Sequence, residues 1–121
     1  MKYKVFDAEY KFMELLWTVG PINSTALVKL CESELGWKKS TTYTTIKRLS
    51  SRGIVKNENA TVDFLVSKDK VRLEESKDHL EKLYNGSLKM FLTSFLDKEE
   101  LSKDEISELK KLIDKKAKEN E

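Results

Sequence analysis

At 121 residues, with 39% hydrophobic and 36% charged side chains, the chain has the size of one domain or of a small domain with an oligomerisation appendage. The single cysteine, Cys31, excludes an intramolecular disulfide and a cysteine-rich metal site, and no run of about 18 apolar residues offers a transmembrane helix. Net charge is +2, but residues 1–66 hold 10 basic and 7 acidic side chains against 13 and 14 in residues 67–121, so any polyanion footprint belongs to the first half.

The opening stretch Met1–Asp7 lacks the apolar core of a signal peptide, and with the lone cysteine this predicts a cytoplasmic protein. Asp7 is a candidate N-cap for a first helix, in which Tyr10, Met13, Leu16 and Trp17 recur at helical spacing, widened by Phe12 and Val19. Gly20-Pro21 ends it. Asn23 can cap a second helix with Leu27, Leu30, Cys31 and Leu35 on one stripe, and Gly36 stops it. Cys31 on that stripe reads as a small buried apolar residue rather than a reactive thiol.

The stretch from Trp37 to Gly53 predicts a third helix with two unlike faces. Thr42, Thr45, Ile46 and Leu49 make one stripe. Nearly opposite lie Ser40, Thr44, Lys47 and Ser51, flanked by Tyr43 on one side and by Arg48 and Thr41 on the other. From Trp37 to Asn57 there are six Lys/Arg and no acid. Such a face carries the groups that bond phosphate oxygens and base edges. Ser40 is its candidate N-cap, which leaves Lys38 and Lys39 in the entry turn, where cations oppose the helix dipole unless phosphates approach there. Two short helices with a tight join, the second basic and polar outward, are the helix-turn-helix pattern. Lys38, Lys39, Ser40, Thr41, Tyr43, Thr44, Lys47 and Arg48 are therefore the expected DNA-binding residues.

After Gly53, Ile54-Val55-Lys56 reads as a strand, Asn57–Ala60 as a polar turn, and Thr61–Val66 as a second strand with Val62, Phe64 and Val66 on its buried face. A hairpin in this position is the wing of a winged helix-turn-helix. Ser67 can cap a fourth, charged helix with a thin stripe of Val71/Leu73, Leu80, Leu83 and Tyr84. The sole histidine, His79, has no ligand-spaced partner. Ser87 caps a fifth helix whose Leu88, Phe91, Leu92, Phe95 and Leu96 give the strongest periodic signal in the chain, and Ser102–Glu105 is a capping box for a sixth with Ile106, Leu109, Leu112 and Ile113 inward. These nine apolar residues predict pairing of two copies, since a monomer exposing them would aggregate; the alternative is that the two helices fold back on their own N-terminal module. The expected fold is mainly α with a small β-hairpin: a winged helix-turn-helix over residues 1–67 and a helical dimerisation region over 68–121. A twofold dimer sets two such helices on successive major-groove segments, so the expected partner is double-stranded DNA with a palindromic operator.

The chain resembles the BlaI/MecI/CopY family of bacterial repressors, the penicillinase-repressor family. Asp7–Trp17 is similar to the family's S-x-A-E-W-x-V-M-x-x-L-W. Trp37, Thr41, Thr44, Arg48-Leu49 and Gly53 match W-x-x-x-T-x-x-T-x-x-x-R-L-x-x-x-G. Leu65-Val66-Ser67 matches the end of the wing, and Gly86–Leu88 through Leu101-Ser102 the dimerisation region. The resemblance implies a homodimeric winged-helix repressor on an operator palindrome, with Thr41, Thr44 and Arg48 in the DNA-reading helix. The family's wing pattern G-R-x-Y-Y-Y is replaced by Asn59–Phe64, which has no basic residue and one acid. The Ser-Pro entry to the recognition helix is replaced by Lys38-Lys39. Copper-responsive relatives carry C-terminal Cys-x-Cys pairs; none occurs here, and no cofactor is expected. Relatives that respond to β-lactams are cut at an Asn-Phe bond. The matching bond here is Ser94-Phe95, and a sensor protease is the partner such a switch would require.

The alternative from a different class is a winged-helix protein-interaction module whose basic face meets an acidic protein. No Ser/His/Asp set, paired carboxylates, phosphate loop or metal-ligand spacing supports an enzyme.

Overall fold

The computed structural model describes residues 3–121; Met1 and Lys2, read above for a leader segment, lie outside the described residues. The elements run α1 (Asp7–Val19), β1 (Ile22–Asn23), α2 (Ser24–Leu35), α3 (Lys39–Ser51), β2 (Val55–Glu58), β3 (Thr61–Phe64), α4 (Lys68–Tyr84), α5 (Leu88–Lys98) and α6 (Lys103–Glu119). The fold is mainly helical with a small antiparallel sheet, as a winged helix requires. The chain divides into two compact units within α4, one reaching to Asp78 and the other covering His79–Glu121.

The first unit has a single core. Phe12, Met13 and Leu16 of α1, Leu27 and Cys31 of α2, Ile46 and Leu49 of α3 and Ile54, Val55 and Val62 of the hairpin are buried together, with Val5, Val66 and Val71. These positions are the apolar stripes of three helices and one face of the hairpin, converging on one interior. Val71 belongs to the opening turns of α4, so that helix starts within this unit.

Three local details differ from expectation. Asp7 is the first residue of α1, not its cap. Phe6 takes the cap position in extended conformation, and Glu9 Oε1 accepts the Phe6 N–H at 3.0 Å, so the carboxylate three residues in does the capping. Lys38, not Ser40, precedes α3, and no side chain caps that helix. The stacking of Trp37 on Phe12, with rings 6.1 Å apart and nearly parallel, fixes the chain just before this start. Asn57 and Glu58 belong to β2, so the wing turn is the two residues Asn59-Ala60, both with positive φ. That geometry matches the strand twist in a two-residue hairpin.

A third strand was not expected. Ile22 and Asn23 pair with Val62 and Thr61, giving the order β1-β3-β2. The Ser24 N–H also donates to the Ala60 carbonyl at 2.8 Å, so the start of α2 holds the hairpin at its tip. Asn23 Oδ1 accepts the Thr25 N–H at 2.9 Å, the expected cap of α2, and Gly36 closes that helix at φ 68°, in the left-handed region.

In the second unit, Ser87 Oγ accepts the Met90 N–H at the start of α5 and Ser102 Oγ accepts the Glu105 N–H at the start of α6, each at 3.1 Å. Lys116 and Lys118 stand in the last turn of α6, where cations complement the dipole. Neither α5 nor α6 contains a buried residue.

Candidate nucleic-acid interface

The two faces of α3 separate as its periodicity predicts. Thr42, Thr45, Ile46 and Leu49 are buried. Lys38, Lys39, Ser40, Thr41, Thr44, Lys47 and Arg48 are exposed, and Tyr43 is half-buried at the boundary. Two of the four inward residues are threonines, whose hydroxyls need partners in a dry environment. Both find them one turn back: Thr45 Oγ1 donates to the Thr41 carbonyl at 2.8 Å and Thr42 Oγ1 to the Lys38 carbonyl at 3.4 Å. Both hydroxyl protons are thereby satisfied within the helix itself. Cys31 lies beneath, bonded to the Thr42 side chain; burial pushes its thiol pKa up, and the Thr42 bond offsets this in part.

At the start of α3, Lys38 is the uncapped entry residue and no acid occupies the first turn. Lys39 Nζ lies 5.9 Å from the Tyr43 ring centroid, a cation–π contact that steadies the lysine on the helix flank. Lys47 and Arg48 continue the outward face one turn further on. The N-terminal half of this face thus combines free amides, two ammonium groups and three hydroxyls.

Arg52 departs from the rest of the basic stretch. Its Nη2 donates to Glu9 Oε2, and its guanidinium lies 5.3 Å from the Phe6 ring centroid. Glu9 is buried at the start of α1. No local pattern joins residues 43 positions apart, and sequence reasoning missed this pair.

The wing tip, Asn57–Thr61, is exposed, and Glu58 is the charged residue in it. Asp63 is half-buried, with Oδ1 accepting the Phe64 N–H at 2.8 Å. Lys56 is exposed at the base of β2.

Among the second-unit residues, Leu88, Phe95, Leu96, Ile106, Leu109, Leu112 and Ile113 are exposed, Leu112 by 64%, while Phe91 and Leu92 are half-buried. Phe91 contacts Tyr84 edge-on at 5.6 Å and Phe95 at 5.8 Å. Ser94 and Phe95 both lie within α5 and are exposed.

A three-helix core, an outward basic helix and a hairpin behind it define the class of winged helix-turn-helix proteins. The sequence pattern of the family described as "Penicillinase repressor" matches residues 6–115. The chain therefore belongs to the penicillinase repressor family, a family of transcriptional repressors. It is 29% identical over 118 residues to the methicillin resistance regulatory protein MecI of Staphylococcus aureus strain Mu50, covering 94% of this chain and 96% of that one. It is 28% identical over 115 residues to the penicillinase repressor of Bacillus licheniformis, covering 92% and 90%. The S. aureus penicillinase repressor is 26% identical over 110 residues, with 88% and 87% covered. Among the described residues no helix is long and apolar enough to cross a membrane.

Proposed function

We propose that this protein is a homodimeric, sequence-specific DNA-binding repressor of transcription that reads a palindromic operator through α3. The observation that carries the reading is the exposed face of α3, where Lys38, Lys39, Ser40, Thr41, Thr44, Lys47 and Arg48 stand together without an acid while the opposite face is buried. Lys38 and Lys39 neutralise phosphates at the helix start, where the amides and dipole also favour an anion. Thr41, Thr44, Lys47 and Arg48 face the groove, and Arg48 supplies the bidentate donor suited to a guanine edge. Tyr43 packs at the rim and positions Lys39.

Residues 1–67 carry the DNA contact and residues 68–121 the pairing of two copies. The exposed stripes of α5 and α6 support the pairing, since each large apolar side chain withdrawn from water is worth ~1.5–3 kcal/mol. A twofold dimer sets its two recognition helices about one helical turn of DNA apart, near 34 Å. Relief of repression by a sensor protease would act at Ser94-Phe95. That bond lies inside α5, so cleavage requires local unwinding of the helix.

The test is enrichment of duplexes from a randomised pool by the wild-type protein, followed by titration of the enriched duplex at several salt concentrations. The expected result is a palindromic site whose log affinity falls linearly with log salt through counterion release. Enrichment of no duplex would overturn the reading. One observation favours a second reading, an interaction module for an acidic protein: the wing tip carries Glu58 and no cation. That reading predicts no enriched duplex and a salt-sensitive complex with an acidic protein.

A further inference from the structure

We infer that Glu9 and Arg52 form a positioning joint that sets the orientation of α3 on the DNA without touching it. This inference rests on the DNA-binding reading above. Glu9 uses both carboxylate oxygens: Oε1 accepts the Phe6 N–H at the start of α1, and Oε2 accepts from Arg52 Nη2 at the end of α3. The pair therefore joins the positive end of one helix dipole to the negative end of another, and each charge suits the helix end it occupies. The Phe6 ring lies against the guanidinium and shields it on one side.

Such a joint adds to a packing that is uneven along α3, where Trp37 and Tyr43 are only partly buried against the core. Two of its four buried residues are threonines, which offer small apolar surface, and the side chains of Ile46 and Leu49 lie toward its C-terminal half. A helix seated this way resists withdrawal from the core better than rotation about its own axis. Rotation is the motion that matters for readout, since it swings Arg48 and Thr44 away from the base edges while leaving lysines long enough to follow the phosphates. Arg52 stands one turn beyond Arg48, and its engagement with Glu9 fixes that rotation. It also withdraws one positive charge from the basic stretch, so phosphate contact falls to Lys38, Lys39, Lys47, Arg48 and Lys56, the cations exposed there.

The joint predicts a split between specific and non-specific binding that neither a phosphate contact nor simple destabilisation produces. The probes are the duplex enriched by the wild-type protein and an unrelated duplex of the same length. Arg52→Gln and Glu9→Gln, each confirmed as folded by circular dichroism, are expected to lose tenfold or more in affinity for the enriched duplex. Their affinity for the unrelated duplex stays within twofold of wild type, and the slope of log affinity against log salt is unchanged. Arg52→Lys, which keeps the charge, restores affinity for the enriched duplex to within threefold. Lys39→Ala serves as the contrast: it weakens both complexes and lowers the salt slope by about 1. If Arg52→Gln behaves like Lys39→Ala, Arg52 contacts phosphate and the inference fails. It fails equally if both glutamine variants bind the enriched duplex as wild type does. Should either variant not fold, the lysine variant decides, because a joint predicts retained discrimination between the duplexes and a fold dependent on guanidinium geometry predicts its loss. If the wild-type protein enriches no duplex, the functional reading itself falls, an outcome distinct from all of these.

Discussion

Trp17 donates its indole Nε1–H to the carbonyl of Val66 at 3.0 Å, fastening the end of α1 to the chain just past the wing. Val66 is buried and the bond itself partly so, which leaves the carbonyl short of water if the indole is removed. Trp17→Phe keeps much of the aromatic packing, including the edge-on contact with Tyr10, but leaves that acceptor unpaired. The expected loss is about 1–3 kcal/mol, the cost of an unsatisfied buried group. Urea denaturation at unchanged m-value checks it, and a variant as stable as wild type would show that the bond contributes nothing.

The wing turn contains a residue in an unfavourable conformation. Ala60 sits at φ 59°, in the left-handed region, where a Cβ crowds the following carbonyl. For an L-residue this costs roughly 1–2 kcal/mol. Asn59 tolerates the same region through its short polar side chain, and glycine is the usual second residue of such a turn. Ala60→Gly is therefore expected to stabilise the protein by about 0.5–1 kcal/mol, part of the relief being offset by the greater freedom of glycine when unfolded. Ala60→Val should destabilise it. A thermal melt of the two variants beside wild type tests the sign in both directions.

The features that were legible in the sequence are those with a local period. The inward Thr42, Thr45, Ile46 and Leu49 identified the buried side of α3, and its opposite side followed by geometry. The caps of α2, α5 and α6 were readable because Asn23, Ser87 and Ser102 are small side-chain acceptors next to apolar periodicity. Where the acceptor comes from elsewhere in the chain, the local signal misleads. Glu9 reaches back to cap Phe6, a role that residue type alone assigns to Asp7. The strand Ile22–Asn23 is too short to show alternation, and its partners Val62 and Thr61 are distant in sequence. The wing turn is shorter than composition suggests, because Asn57 favours turns and Glu58 is a weak strand former, yet pairing with Val62 and Thr61 holds both in β2. The Glu9–Arg52 pair left no trace at all, because tertiary packing alone brings the residues together.

Cys31 provides a chemical test of the α2–α3 seam. Its thiol is buried and its pKa is raised, chiefly by desolvation, with the Thr42 bond opposing. The thiolate is the reactive form, so native protein should resist a thiol reagent at pH 8 and react rapidly once denatured. The folded state holds the proton more tightly than the unfolded state, so this contribution is fully present below the ordinary thiol value of 9.0 and is lost as pH rises toward the folded value. Cys31→Ser and Cys31→Val both lack a group that ionises in this range, so both should remove the alkaline loss, the valine without placing a hydroxyl in the core. Rapid labelling of the native protein at pH 8 would mean that the seam opens readily.

The pairing of two copies is testable at Phe95. Its side chain is exposed on α5 and forms part of the ring contact with Phe91, toward the C-terminal end of the apolar stripe that runs from Leu88 to Leu96. If α5 and α6 bury these stripes against a second copy, a carboxylate at this position must be desolvated in an apolar interface, which costs several kcal/mol in each copy. Phe95→Asp is therefore expected to be monomeric where wild type is dimeric, as read by sedimentation at micromolar concentration. Its first unit should stay folded, because the core from Val5 to Val71 contains no residue of α5 or α6. Binding to the enriched palindrome should fall steeply, while a single half-site should bind as weakly as it does to wild type. Leu112→Asp on α6 serves as the companion variant. A Phe95→Asp protein that remains a full-affinity dimer would remove α5 from the pairing surface and leave its exposed stripe without an account.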